Sequence, residues 1–210
     1  MTTQTLAAGQ TFAGPADEDQ LSKAAAALTE RNLTVHVVDT IADARRLVRE
    51  LLPRDKEIFT ANSQTLRLSG IADDINTSGE FRSVRARLAD LEGDIRAQIS
   101  MGAAPDVVVG SAHAITEDGL MFVASASGSQ LGPYAAGAER AIWVVGSQKV
   151  VPDLESALRR LRTYCLPLED RRIREAMPEF SSFIGKILII EREAFPDRGT
   201  VVLVREPIGF

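Results

Sequence analysis

Three continuous apolar runs in the middle of the chain constrain its fold more than any other feature. They cover residues 107–109 (VVV), 120–124 (LMFVA) and 141–145 (AIWVV), and turns rich in Gly and Ser separate them. Unbroken apolar runs of this length are typical of strands that are covered on both faces. The middle of the chain therefore predicts a sheet that packs against other layers of structure on both sides.

Helical patterns alternate with further strands around this region. Thr40 and Asp43 resemble a capping box that opens a helix ended by Pro53, and Ser63 and Gly70 suit the two ends of a second helix. The other assignments are strands at 33–38, 57–60, 187–190 and 200–204, a weak strand at 73–77, a long charged helix at 80–100 and a helix from 152 to about 164.

This alternation favours a single α/β domain with a mixed, mostly parallel sheet and helices on both faces. The strands at 187–190 and 200–204 are joined without a long helix, so we expect some antiparallel pairing there. Residues 1–16 are small, polar and rich in Gly and Ala. They predict a flexible N-terminal tail before a domain over residues 17–210.

The charge balance argues against nucleic acid or a membrane as a partner. The formal net charge is −5 at pH 7, and the arginines within 171–174 are flanked by acidic residues, which predicts a solvated helix face. The N-terminus lacks the pattern of a signal peptide, and no window reaches the roughly 18 apolar residues that a spanning helix needs. We expect a cytoplasmic protein, and its size makes a homo-oligomer one expectation.

The single cysteine, Cys165, limits the chemistry that the chain can hold. One cysteine forms neither an intrachain disulfide nor an all-cysteine metal or cluster site. We therefore expect no metal site and no iron–sulfur cluster in this chain, and we interpret Cys165 as a small buried side chain. No GxGxxG follows a strand, and neither GxxxxGK[ST] nor GxSxG occurs, so no cofactor is encoded by a motif.

Polar residues follow three of the predicted strands at the point where each strand ends. In chain order they are Ser63 and Thr65, then Gly110 and His113, then Lys149. Because the carboxyl ends of parallel strands meet at one edge of a sheet, we expect these residues to crowd on a shared rim. Plain structural readings stay open, namely a helix cap for Ser63 and a solvated side chain for Lys149.

Two further candidates lie between these strand ends. Short apolar residues at 112–115 predict a single helical turn that leaves Glu117 near its end, where a carboxylate can act as acid, base or nucleophile. The alternative is an ordinary polar turn at 117–119. The following loop offers donors and glycine flexibility for a small carboxylate or phosphate, although it also suits a plain connection. Its candidate residues are Ser127, Gly128, Ser129 and Gln130.

Three segments of the chain resemble a known family. They are ANSQTLRLSGI at 61–71, the block from APDVVVGSAHAITEDG to ESALRRL at 104–161, and ILIIEREAFPDRGTVVLVREPIGF at 187–210. Together these segments cover roughly residues 33–210. In them the sequence resembles the LUD domain family, the lactate-utilisation protein C group formerly known as a domain of unknown function. Glu117, Asp118 and Gly119 match the family's central pattern loosely.

The resemblance implies a fold similar to ribose-5-phosphate isomerase, glucosamine-phosphate deaminase and CoA transferases. It also implies a role in the oxidation of L-lactate to pyruvate together with two iron–sulfur partner proteins. Since this chain has one cysteine, the clusters would belong to those partners.

Three hypotheses of different classes follow. The first is an accessory or ligand-binding subunit for lactate oxidation, with a small carboxylate or phosphate on the rim. The second is a stand-alone isomerase or CoA-transferase-like enzyme that uses Glu117 with the loop 127–130 as an anion cradle. The third is a regulatory or scaffolding domain whose rim stays empty.

Overall fold

Two sheets, built from ten strands of the described residues, organise the molecule. The computed structural model describes residues 12–88, 91 and 94–210, without the side chain of Ile95. The strands are β1 (Thr34–Val38), β2 (Glu57–Thr60), β3 (Arg82–Ser83), β4 (Val107–Gly110), β5 (Ala114–Thr116), β6 (Met121–Ser125), β7 (Arg140–Gly146), β8 (Val150–Val151), β9 (Lys186–Ile190) and β10 (Gly199–Val204). The first sheet has the order β1-β10-β7-β4-β2-β3, and the second has the order β8-β5-β6-β9.

Helices connect and cover these strands. They are α1 (Glu18–Glu30), α2 (Ile41–Leu51), α3 (Gln64–Leu68), α4 (Ile71–Thr77), α5 (Val84–Leu88), α6 (Ile95–Met101), α7 (Leu154–Arg160) and α8 (Leu166–Ala176). A π-helical turn, Leu161–Cys165, joins α7 to α8, and a second one, Pro133–Gly137, precedes β7. Side-chain caps begin several helices: Thr40 accepts the Asp43 N–H, as the sequence predicts, and Asp17 forms a capping box with Gln20.

The six-stranded sheet is parallel throughout and has a core on each face. Alternate residues of β7 point in opposite directions, as the pleat requires. Ile142 and Val144 pack with the buried faces of α2, α3 and α4. Trp143 and Val145 pack with α1 and with the second sheet. The predicted α/β domain with helices on both faces of a mostly parallel sheet is therefore confirmed.

The second sheet contains the antiparallel pairing that the sequence predicts for the tail. β9 pairs antiparallel with β6, whereas β10 lies between β1 and β7 in the parallel sheet. The two tail strands thus belong to different sheets. β5 pairs antiparallel with β6 and parallel with β8, so this small sheet is the mixed part of the fold.

Two predictions of secondary structure in the first half of the chain were wrong. Residues 73–77 form most of helix α4, because Ile71 and Ile75 lie one turn apart and bury the same helix face against the sheet. The long helix predicted for 80–100 is interrupted. Arg82 and Ser83 pair with β2 as strand β3, and the described helical parts are α5 and α6.

Among the described residues, packed structure begins at Phe12, within the segment 1–16 that the composition predicts to be a flexible tail. Phe12 is buried against Val151, Leu161 and neighbouring apolar residues, and its ring lies 6.2 Å from that of Tyr164. The flexible tail predicted for 1–16 falls mostly on residues 1–11, which lie outside the described residues.

Trp143 gives a direct test of this core. Its side chain is fully buried in β7, so Trp143→Ala should lower the free energy of unfolding by about 3–5 kcal/mol, because a large cavity forms. Urea denaturation followed by circular dichroism measures the change. Trp143→Phe is the matched control and should cost less, since it keeps an aromatic ring. A loss below about 1 kcal/mol for the alanine variant would contradict a core position for β7.

Candidate functional site

A cavity of about 270 Å³ opens at the carboxyl ends of β2, β4 and β7. Its walls include the residues that follow each of these strands: 61–64 after β2, 111–113 after β4 and Lys149 after β7. The lining is completed by the end of β6 with its loop, Tyr134, the π-helical turn before α8, one face of α8, the segment 182–184 and Phe210. The parallel sheet thus brings three separate loops to one place, as the switch-point geometry of α/β sheets requires.

Lys149 is the central polar group of this cavity. Only 1% of the residue is exposed, and its Nζ donates to Thr65 Oγ1 at 2.8 Å and to Ser111 Oγ at 3.1 Å. These contacts tie the loops after β2, β4 and β7 together. The solvated reading of Lys149 is therefore excluded, since the side chain is buried.

The two hydroxyls that contact Lys149 use their own protons elsewhere. Thr65 Oγ1 donates to the Ile208 carbonyl at 3.3 Å, and Ser111 Oγ donates to the Ala112 carbonyl at 3.1 Å. Each hydroxyl oxygen therefore faces Lys149 as an acceptor. Two N–H bonds of Nζ are satisfied in this way, and the third position is left to the cavity.

In the part of the chain that the structure describes, no carboxylate neutralises the positive charge around Lys149. Within residues 12–88, 91 and 94–210, neither Lys149 nor the buried Arg160 forms a salt bridge. Arg160 donates through Nη1 to the His113 carbonyl at 2.7 Å and to Cys165 Sγ at 2.8 Å, while its buried Nη2 has no partner in the described structure. A buried cation without a counter-ion is costly, so the site favours a bound anion.

The same environment moves the proton equilibria of two cavity side chains. Burial, with the nearby charge of Arg160, lowers the pKa of Lys149 to about 7, although Cys165 opposes this shift. Burial, with the charges of Lys149 and Arg160, lowers the pKa of His113 to about 3. His113 is therefore neutral at physiological pH. Its Nδ1 accepts the Ala124 N–H at 3.2 Å, which leaves the proton on Nε2.

The loop after β6 presents hydroxyl and amide groups to the cavity. Ser125 Oγ accepts the Gly128 N–H at 2.9 Å and bonds Gln130 Oε1 at 3.2 Å, which closes the loop on itself. Gly128 has a φ of 88°, the left-handed conformation that glycine adopts without strain. Ser127, Ser129 and Gln130 line the cavity, whereas Gly128 makes the turn and faces Lys186.

Tyr134 places a phenol on the cavity wall. Its Oη is buried and has no hydrogen-bond partner in the described part of the chain. Burial raises the pKa of the phenol, and the nearby Ser111 N–H partly offsets that rise. Arg198 holds the turn that carries Tyr134: it donates to the carbonyls of Pro133 and Tyr134 and pairs with Glu193 at 2.6 Å.

Gly110 makes room for this phenol. A Cβ at Gly110 would lie 1.5 Å from Tyr134 Oη, so only glycine permits the contact. Gly110 and Thr65 themselves do not line the cavity; they support Tyr134 and Lys149.

Glu117 lies apart from the cavity. Residues 114–116 form strand β5, not a helical turn, and 117–119 make the hairpin turn to β6, the alternative that the sequence left open. The Glu117 carboxylate accepts from Gln20 Nε2 at 3.1 Å and lies 3.9 Å from Lys23 Nζ, both on α1. The structure thus groups Ser63, His113 and Lys149 and leaves Glu117 with α1.

Several cavity residues were not singled out in the sequence. A carboxylate does line the cavity, that of Glu169 on α8, but Arg172 binds it through two hydrogen bonds of 2.7 Å. The arginines of this segment lie on a helix with no buried residue, as the sequence predicts, and Arg172 is the half-buried member that reaches the cavity. The spacing of three residues between Glu169 and Arg172 was the available signal. Tyr134 gave no local signal of a place in the cavity, and Cys165 was interpreted only as a small buried side chain.

The described residues contain no group of three or more His, Cys, Asp and Glu side chains arranged to hold a metal ion. Among the same residues, every helix is too short or too polar to cross a bilayer.

Comparisons with known proteins agree with this architecture. The LUD domain family model matches residues 21–204. A crystal structure of a DUF162 family protein from Deinococcus radiodurans is similar, with a TM-score of 0.54 and 11% sequence identity over 89% of this chain and 96% of that chain. At that identity the likeness shows the fold alone. No curated protein matches the sequence.

The lowered pKa of Lys149 predicts how stability depends on pH. Between about pH 7 and the ordinary lysine value of 10.5, the unfolded chain holds a proton on Lys149 that the folded chain releases. Wild type should therefore gain stability over Lys149→Met as the pH rises, by up to about 1.4 kcal/mol per pH unit. Urea unfolding of both proteins from about pH 7 to about pH 9 measures the difference.

Two of the other ionisable groups that face Lys149 stay out of this window, because both pKa values of His113 lie below it and Arg160 keeps its charge. Burial raises the pKa of the Cys165 thiol above its ordinary value of 9.0, so Cys165 opposes the gain near the top of the window. Wild type and Lys149→Met both carry Cys165, so most of its effect cancels in the comparison. Wild-type and variant stability curves that stay parallel across the window would contradict a neutral folded-state lysine.

Proposed function

Because the chain belongs to the LUD domain family, which supports a role related to lactate utilisation, we propose that it is a ligand-binding subunit of lactate oxidation. In this proposal it holds a small carboxylate in the cavity at the strand ends. It works in the cytoplasm beside iron–sulfur proteins that take the electrons when L-lactate becomes pyruvate.

One observation carries the proposal: Lys149 is buried in the cavity with no carboxylate partner among the described residues. A bound monocarboxylate supplies the missing negative charge, and the burial of Lys149 away from water strengthens that attraction. The neighbouring polar groups complete the recognition. Ser127, Ser129 and Gln130 can bond a carboxylate or a hydroxyl, and neutral His113 offers a donor at Nε2.

The size and charge of the cavity favour a small monoanion over phosphate. Its volume of about 270 Å³ is at the low end for ligand pockets. Glu169 and Arg172 neutralise each other, so Lys149 is the cation without an ion pair among the described residues that line the cavity. A phosphate dianion would leave one charge unbalanced.

The alternative of a stand-alone enzyme that uses Glu117 receives no support from this geometry. Glu117 contacts Gln20 and lies near Lys23, and it does not line the cavity. The single cysteine also supports the assignment of the clusters to partners. Cys165 is buried and bonds Arg160, and the described residues offer no metal-binding cluster.

Ligand binding can be tested by thermal shift. L-lactate and pyruvate should raise the melting temperature of the wild type, because a ligand that binds only the folded state stabilises it by about 2.7 kcal/mol at a hundredfold excess over Kd. Inorganic phosphate should give a smaller shift. Lys149→Gln should abolish the response, and Lys56→Gln, which changes an exposed lysine, should keep it.

Tyr134→Phe adds a variant that separates binding from folding. It removes a buried hydroxyl without a partner, so stability should be unchanged or slightly higher, while a ligand that bonds Oη should bind more weakly. A wild type whose melting temperature responds to none of the three acids would rule out the proposed site.

The partner assignment has its own test in the native host. A tagged copy of the chain should co-purify iron–sulfur proteins, and deletion of its gene should slow growth on L-lactate but not on a sugar. Complementation with Lys149→Gln should fail, and complementation with Lys56→Gln should succeed. Normal growth of the deletion strain on L-lactate would refute the assigned role.

A further inference from the structure

The hydrogen bonds of Lys149 leave the electron pair of its neutral form unused. Thr65 Oγ1 and Ser111 Oγ accept its two N–H bonds, and both hydroxyl protons go to backbone carbonyls. Neither hydroxyl has a proton left to donate to the amine. A neutral amine in this position keeps its electron pair free, and Lys149 also lines the cavity.

We propose that Lys149 attacks the carbonyl carbon of a small 2-oxo acid bound in the cavity and forms an imine with it, an inference that rests on the proposed function. The carboxylate of such an acid is attracted to the protonated form of Lys149, and the attack follows once the amine has given up that proton to solvent, which a pKa of about 7 allows. Its adjacent carbonyl then lies next to the amine that the two hydroxyls orient. The substrate class is thus a carbonyl directly bonded to a carboxylate, as in the product of lactate oxidation.

The step balances without an oxidant or reductant. The electron pair of the Nζ amine forms a bond to the carbonyl carbon, and the carbonyl oxygen takes a proton to give a carbinolamine. The carbon–oxygen bond then breaks and the oxygen leaves as water, which carries away both amine protons. The product is a carbon–nitrogen double bond between Lys149 and the acid, and hydrolysis reverses the step.

The surroundings of Lys149 support the nucleophilic form. Burial lowers its pKa to about 7, so a substantial fraction of the amine is neutral at physiological pH. The other three lysines are exposed. Lys23 and Lys56 have side chains that are 55% and 46% exposed and form ion pairs, and Lys186 reaches the Ser127 carbonyl from the surface.

Reductive trapping tests the imine on the full chain. Pyruvate with cyanoborohydride should convert one lysine to a secondary amine, with a mass increase equal to pyruvic acid less one oxygen atom. Peptide mapping should place the adduct on Lys149. Lys149→Arg, which keeps the charge but forms no imine, should lose the adduct, and Lys186→Arg should retain it.

Two other probes separate the chemical requirements. L-lactate has the carboxylate without the carbonyl, so it should raise the melting temperature and leave no adduct. Acetone has the carbonyl without the carboxylate, so it should label Lys149 at least tenfold less than pyruvate does at equal concentration.

The outcomes distinguish this inference from the proposed function. If pyruvate raises the melting temperature and no adduct forms on Lys149, the imine is overturned and the binding site stands. Label spread evenly over the four lysines also overturns it. If neither a shift nor an adduct appears in the wild type, both proposals fail. These readouts use the wild type alone, so they hold even where a variant does not fold.

Discussion

The parallel pairing of β4 with β2 on one side and β7 on the other is the constraint on which the site depends. Val108 lies opposite Phe59 in β2 and Ala141 in β7, so the three strands end close together at one edge of the sheet. Their side chains fill cores on both faces, and a slip of one residue would exchange the two faces. Because the register is fixed by this burial, the loops after the strands have one relative position. The contacts of Lys149 with Thr65 and Ser111 exist only in that register.

The fold is stabilised by burying apolar side chains, whereas two basic side chains are buried at the cavity. Apolar packing on both faces of the sheet stabilises the chain, whereas burial of Lys149 and Arg160 with no carboxylate partner among the described residues costs free energy. Such costs concentrate at functional sites, where a ligand or a proton change can offset them. In this molecule the offset has two sources. Loss of the Lys149 proton relieves part of the penalty, and a bound carboxylate would relieve the rest. The same feature that weakens the apo fold therefore supports both ligand binding and nucleophilic attack.

Local pattern was a good guide where burial and periodicity agree. The run at 141–145 forms β7 at the middle of the parallel sheet, and Thr40 caps α2 as its sequence context predicts. Local pattern was a poor guide where the same short sequence suits both a strand and a helix. The five residues at 73–77 suit a short strand in isolation, but Ile75 pairs with Ile71 one turn earlier and the segment is helical. Glu117 is a second example. The local sequence allowed a turn at 117–119, but it did not indicate that the carboxylate contacts helix α1.

The sequence by itself determined the α/β class, the family, the lack of cysteine ligands for a cluster, and the loops that end at one sheet edge. The class, the cysteine limit and the loop positions follow from composition and short-range periodicity, whereas the family follows from the resemblance of three segments, which the family model confirms. Only the tertiary structure decided which side chains meet in the cavity. Tyr134, Cys165 and Glu169 arrive from segments far from Ser63 in sequence, and Glu117 turns toward α1. The physical reason is that burial and hydrogen bonding join residues through the register of strands and the packing of helices, which no local window contains.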